Sequence, residues 1–177
     1  MYDLSIKNVK KNIKVLEQLE NKSLIRVELA LKLALMEGCG WIEEKVCFIL
    51  FKYIDAKVNN KILNEEVKNN IRQKNYSFKY KEFREKLTAV IGEIEMVKIE
   101  SKIKKYNDSH FDFDHFKACL SELKKERDKY AHTYTRFGKK NIQCSTSLGF
   151  SRIDERIDYI NKGLSIILSF VFRRCKK

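Results

Sequence analysis

Residues 113–134 read FDHFKACLSELKKERDKYAHTY. Set on a helix, this stretch has one apolar seam of Phe113, Phe116, Leu120 and Leu123, continued by Arg127, Tyr130 and Tyr134. The spacings alternate three and four, the period of a helix that packs along one face. Arg127 falls where an apolar side chain is expected. A guanidinium keeps its charge, so one withdrawn from water needs an anionic partner or an anionic ligand. His132 follows five residues later, near the expected helix end. An arginine that breaks the packing pattern, with a histidine beside it, makes this stretch the leading site candidate as well as the template for the fold.

Outward from it, the same apolar spacing recurs. Residues 4–20 read as a first helix, with Asp3 or Ser5 as cap and Ile6, Val9, Ile13 and Leu16 as its buried face. A long apolar segment runs from Leu24 to Ile54, interrupted only by Gly38-Cys39-Gly40, which allows a bend or a close helix contact. From Trp41 onward it is apolar almost all round, with Lys45 and Lys52 as a thin polar stripe, so it belongs at the centre of a bundle or against a partner chain. A polar helix over 60–73 follows. The connector NYSFKYK (75–81) interleaves aromatic and basic residues, a pattern that either stacks bases or packs a loop on a core.

Phe83, Leu87, Val90, Ile94 and Val97 predict one helix over about 80–105, and residues 107–112 break it. Asp112 or Asp114 suits the positive start of the helix that follows. Residues 135–150 form a polar loop with room for a short strand at 141–150. The last helix opens with Ser151 and Asp154 in capping-box spacing and carries the seam Ile153, Ile157, Ile160, Leu164, Ile167 and Val171. The expected architecture is all-α, a single domain over 1–177 folded as an up-and-down helical bundle with long central helices.

Composition agrees. The 177 residues include no proline and six glycines, which favours long helices. A net charge of +13 fits either a polyanionic partner, most simply nucleic acid, or a lysine-rich solvated surface. Five cysteines occur without any C-x-x-C pair or zinc-like spacing, so neither a metal nor another cofactor is expected. Cys39, Cys47 and Cys119 fall in apolar helical stretches as small buried residues. No apolar run reaches the roughly 20 residues that a membrane span needs, and the N-terminal stretch lacks an apolar signal core. The expectation is a cytoplasmic protein with no membrane partner.

The chemistry to expect follows from the residue types. His132 titrates near neutrality and can give or take a proton. Asp128, four residues before it, could orient the imidazole, and Arg127 offers a planar fork for a phosphate. A base, an oriented carboxylate and a fixed cation suffice to cleave RNA through its own 2′-hydroxyl without a metal. Five residues advance a helix by about 140° beyond one full turn, so Arg127 and His132 of one helix point apart. Two copies of the helix across a two-fold axis would bring both types to one cleft. The plainer alternative is an arginine held in an intrachain ion pair and a histidine at a helix end. Glu43, between Cys39 and Cys47 on the helical face, is either paired with a cation or shifted upward in pKa, or else exposed at the edge of the polar stripe. Lys129 and the loop cations Arg136, Lys139 and Lys140 are candidate RNA contacts.

The segment ERDKYAHTY (126–134) matches the R-x-x-x-x-H motif near the end of a late helix in the HEPN family (higher eukaryotes and prokaryotes nucleotide-binding). GCGWIEEKV (38–46) resembles the S/G-C-G-Y-hydrophobic-E stretch of an early helix in the family's RiboL-PSP-type branch. The chain therefore resembles a HEPN domain, in helix order over nearly its whole length. The resemblance implies an all-α bundle, a homodimer, and the metal-independent endoribonuclease activity of many HEPN toxins and antiviral defence effectors. It assigns catalytic roles to Arg127 and His132 and a supporting role to Glu43. The residue after the motif arginine is commonly Asn, Asp or His, here Asp128. Tyr134 completes R-x-x-x-x-H-x-Y, as in HEPN toxins whose antitoxin adenylylates that tyrosine, so an antitoxin or other defence-system protein is an implied partner. A HEPN module that binds nucleic acid or protein without cleaving is the alternative.

Overall fold

The structure, a computed structural model, describes residues 5–18, 24–73, 78–105, 111–131 and 149–175. Among them are seven helices and no strand: α1 (Ile6–Glu17), α2 (Leu24–Lys57), α3 (Lys61–Gln73), α4 (Tyr80–Ile91), α5 (Glu93–Lys104), α6 (Phe113–Ala131) and α7 (Phe150–Cys175). The fold is all-α. The short strand allowed for at 141–150 lies almost wholly outside the described residues, and Phe150 already belongs to α7.

The 34-residue α2 is the spine, about 50 Å long at 1.5 Å per residue. It runs straight through Gly38-Cys39-Gly40 as helix. Gly38 is there for contact: a β-carbon at this position would collide with Ile157 of α7. Near the far ends of the same two helices, Tyr53, Lys57 and Val171 line a cavity of about 240 Å³, so α2 and α7 run parallel. Between them α6 runs the other way. Its Phe116 abuts Gly163 and its Glu122 pairs with Arg156, so residue numbers rise on α6 as they fall on α7. α1 closes the N-terminal end, where Lys10 bridges Asp154 and Asp158 of α7 at 3.2 and 2.6 Å. At the opposite end α3 folds back on α2 through Lys68–Asp55, at 2.5 Å, and the buried Asn64, whose amide donates to Asp55 and to the Val58 carbonyl. One contiguous buried cluster joins all seven helices, with Leu35, Ile42, Ile49, Leu87, Phe116, Leu123, Ile157 and Leu164 at its centre.

Two expectations are corrected. The helix expected over 80–105 is two helices, α4 and α5, folded against each other as a hairpin. Gly92 separates them with φ +86° and ψ 152°, a backbone region open in practice only to glycine. The break also moves the seam. Ile94 and Val97 continue the spacing of α4 in sequence but are exposed, and Met96, Ile99 and Ile103 are buried instead. Arg84 ties the hairpin by reaching Glu93 and, at 3.0 Å, Glu100, which also accepts the Tyr80 hydroxyl at 2.6 Å. The capping box at Ser151 does not form. α7 opens one residue earlier, with the buried Phe150 as its first residue, and the Ser151 hydroxyl donates to Glu155 at 3.1 Å inside the helix.

Elsewhere the expected local chemistry is present. The Ser5 hydroxyl caps α1 by accepting from the Lys7 amide at 3.2 Å. Asp112 caps α6, its carboxylate accepting from the amides of Asp114 and His115, both at 3.1 Å. Phe78 and Tyr80 of the 75–81 connector pack inward, Phe78 being almost wholly buried, so this part of the segment serves the core; residues 75–77 lie outside the described residues. Cys39 and Cys119 are buried as expected and Cys47 is partly exposed; all three are free thiols. Among the described residues no helix is long and apolar enough to cross a membrane.

Candidate functional site

The start of α6 is fixed to α7. The Tyr159 hydroxyl donates to the Asp112 carbonyl at 3.1 Å and also meets the Asp112 amide, so cap and neighbouring helix share one anchor. From there Phe113, Phe116, Leu120 and Leu123 are buried in succession. Arg127 takes the next seam position one turn later, where the bundle opens. Its side chain is 28% exposed, against 35% for Glu43 of α2, and its Nη1 donates to Glu43 Oε1 at 3.0 Å. The guanidinium also lies 5.9 Å from the ring centroid of Phe78, giving it an aromatic floor. Residues 84 positions apart in sequence thus meet because α2 and α6 pack side by side.

Glu43 shows both properties considered for a carboxylate in this setting. It is paired, and its pKa is raised because burial outweighs the opposing fields of Arg127 and Lys86. The thiols one turn to either side complete a low-dielectric wall. Cys39 is buried and its pKa is pushed up to about 12, first by burial, with Arg127 opposing and Glu43 and Asp128 adding to it. It is an inert packing thiol.

Lys86 of α4 belongs to the same cluster, and the apolar seam of the sequence passed over it. It is only 7% exposed, and its Nζ lies 3.8 Å from Cys47 Sγ, one helical turn along α2 from Glu43. Burial lowers its pKa, with Cys47 and Glu43 pulling the other way. The signal was present: Lys86 sits three residues after Phe83 and next to Leu87, on a seam where an apolar residue is expected. The same rule that singled out Arg127 applies to it.

Asp128 forms an ion pair with Lys124, one turn back on α6. Three cations (Arg127, Lys86, Lys124) therefore gather around two carboxylates (Glu43, Asp128), leaving an excess positive charge in a half-buried pocket. Lys129 is exposed and reaches Glu126 at 4.0 Å. His132, Tyr134, Arg136, Lys139 and Lys140 lie outside the described residues. Of the sequence candidates, the structure brings Arg127 and Glu43 together and sets Asp128 close by. Among the described residues no three His, Cys, Asp or Glu side chains gather in a way that would hold a metal ion. No family model, no curated protein and no solved structure matches the chain.

Proposed function

We propose that this chain is a HEPN-type endoribonuclease acting as a toxin or antiviral defence effector, and that it cleaves RNA at a composite site in a homodimer. The supporting observation is Arg127: a half-buried guanidinium on a packing seam, held over Phe78 by a carboxylate from another helix, in a cluster with surplus positive charge. A phosphodiester is a suitable ligand for a fork of that kind.

In this mechanism His132 removes the ribose 2′-hydroxyl proton, and the freed oxygen attacks the adjacent phosphorus. Arg127 stabilises the added negative charge, and the 5′-oxygen leaves as it takes up a proton from the second histidine of the dimer. The products are a 2′,3′-cyclic phosphate and a 5′-hydroxyl. Lys129, Arg136, Lys139 and Lys140 draw in the backbone, and Tyr134 is the position at which an antitoxin would act.

A second reading, a binding module without catalysis, is favoured by the Glu43 pair itself, which already satisfies Arg127 within the chain. One experiment separates the two. Wild-type protein is incubated with a mixed RNA pool in EDTA beside Arg127→Ala and His132→Ala. The nuclease reading expects cleavage by wild type alone, with both variants folded. RNA binding without cleavage establishes the second reading.

A further inference from the structure

We propose that Lys86 is a positioning residue of this site: it takes over the Glu43 carboxylate when Arg127 turns to a phosphodiester. This rests on the reading that Arg127 binds a phosphate of RNA. The difficulty it resolves is electrostatic. Arg127 holds Glu43 through Nη1 at 3.0 Å, and a fork that engages a phosphate with two parallel N–H groups has to loosen that bond. Glu43 is half-buried and its ionised form is already disfavoured by burial, so leaving it without a cation carries a steep penalty.

The cations and thiols around Glu43 are few and come from three helices. Arg127 faces it from α6, Cys39 and Cys47 flank it on α2, and Lys86 approaches from α4. Asp128 is paired with Lys124, which leaves that lysine occupied. Lys86 is the cation placed for the exchange. Its ammonium rests at 3.8 Å from Cys47 Sγ, one turn from Glu43, and its field already acts on the carboxylate. Its stem of four methylenes allows the ammonium to move by a turn while the backbone of α4 stays fixed between Phe83 and Leu87, both fully buried. Before substrate binds, Glu43 orients Arg127. Once a phosphodiester arrives, the positive surplus is neutralised and Lys86 keeps Glu43 ionised and out of the way.

The test is a double-mutant cycle read on binding. The probe is a fluorescein-labelled single-stranded oligodeoxynucleotide, which carries phosphodiesters and no 2′-hydroxyl. Lys86→Met is expected to weaken its binding about tenfold, as loss of a buried charge partner does. In a Glu43→Gln background, where no carboxylate needs a new partner, Lys86→Met is expected to change binding less than about twofold. Lys86→Arg should keep most of the wild-type affinity, and Lys86→Leu should repeat Lys86→Met. In the free protein, carbon NMR of the Glu43 carboxyl should show its titration midpoint moving up in Lys86→Met and staying in place in Lys124→Met. Equal weakening in both backgrounds, or an unmoved Glu43 midpoint, overturns the role of Lys86 alone. A wild-type protein that does not bind the oligonucleotide overturns the phosphate reading of Arg127, and this inference with it.

Discussion

Gly163→Ala tests the packing that delivers Arg127 to its place. A glycine inside a helix costs about 1 kcal/mol relative to alanine, so the substitution would stabilise α7 if space allowed. Space is absent. A β-carbon at residue 163 would collide with Cγ, Cδ2 and Cε2 of Phe116, a ring with no exposure to solvent. Overpacking a closed core costs about 1–3 kcal/mol, and a rigid ring pinned between α6 and α7 belongs at the upper end. The collision therefore wins by about 1–2 kcal/mol, which lowers Tm by about 2–8 °C at this chain length.

Gly40→Ala is the control, because nothing lies within 4 Å of a β-carbon there. It should gain about 0.5–1 kcal/mol and raise Tm by about 2–4 °C. Thermal and urea unfolding followed by circular dichroism measure both. Phe116→Leu in the Gly163→Ala background should restore part of the loss. A Gly163→Ala protein as stable as Gly40→Ala would refute the α6–α7 contact, and with it the placement of Arg127.

Arg127→Lys is expected to abolish RNA cleavage with little loss of stability, since a point charge does not reproduce the two-pronged contact; the gel assay and a melting curve report the two effects separately. Cleavage products should carry 2′,3′-cyclic phosphate and 5′-hydroxyl ends, and a substrate with deoxyribose at the cut site should resist, whereas 5′-phosphate ends would exclude the mechanism. Light scattering at micromolar concentration should give a homodimer, and a monomer would remove the composite site. Lys86→Met should raise stability by about 1 kcal/mol at neutral pH, because burial disfavours the ammonium. The sign follows from the lowered pKa. The penalty is complete where lysine is charged in both folded and unfolded chains, and it vanishes as pH rises through 10.5, the ordinary lysine value. The advantage of the variant over wild type should therefore shrink toward alkaline pH.

The apolar spacing located every long helix, because burial on one face leaves a period that composition alone cannot hide. It failed at residue 92, where the cause is a backbone angle. Ile94 and Val97 keep step with Val90 in sequence, and nothing in their side chains records that the chain has turned. At the site, Arg127 and Glu43 were each legible as charges in apolar company, but their meeting was not. That depends on how α2 lies against α6, which no local pattern encodes. Lys86 broke the same rule and passed unnoticed because lysines are so common here that one more on a helix reads as surface. Asp128, expected to orient His132, is instead engaged with Lys124 one turn back, a partner that helical spacing also offered.

The spine helix has a consequence for the order in which the protein opens. α2 packs against α1, α3, α4, α6 and α7, whereas α5 rests chiefly on α4 and α7. Amide protons in the middle of α2 can reach solvent only when most of its neighbours have let go, so they should exchange with deuterium last, at the rate of global unfolding. Those of α5 should exchange earlier, by local detachment. Glu43 lies in the slowest segment. Arg127 is thus tethered to the part of the molecule that holds its shape longest, and a site loosened elsewhere by heat or denaturant retains its carboxylate anchor until the whole chain unfolds.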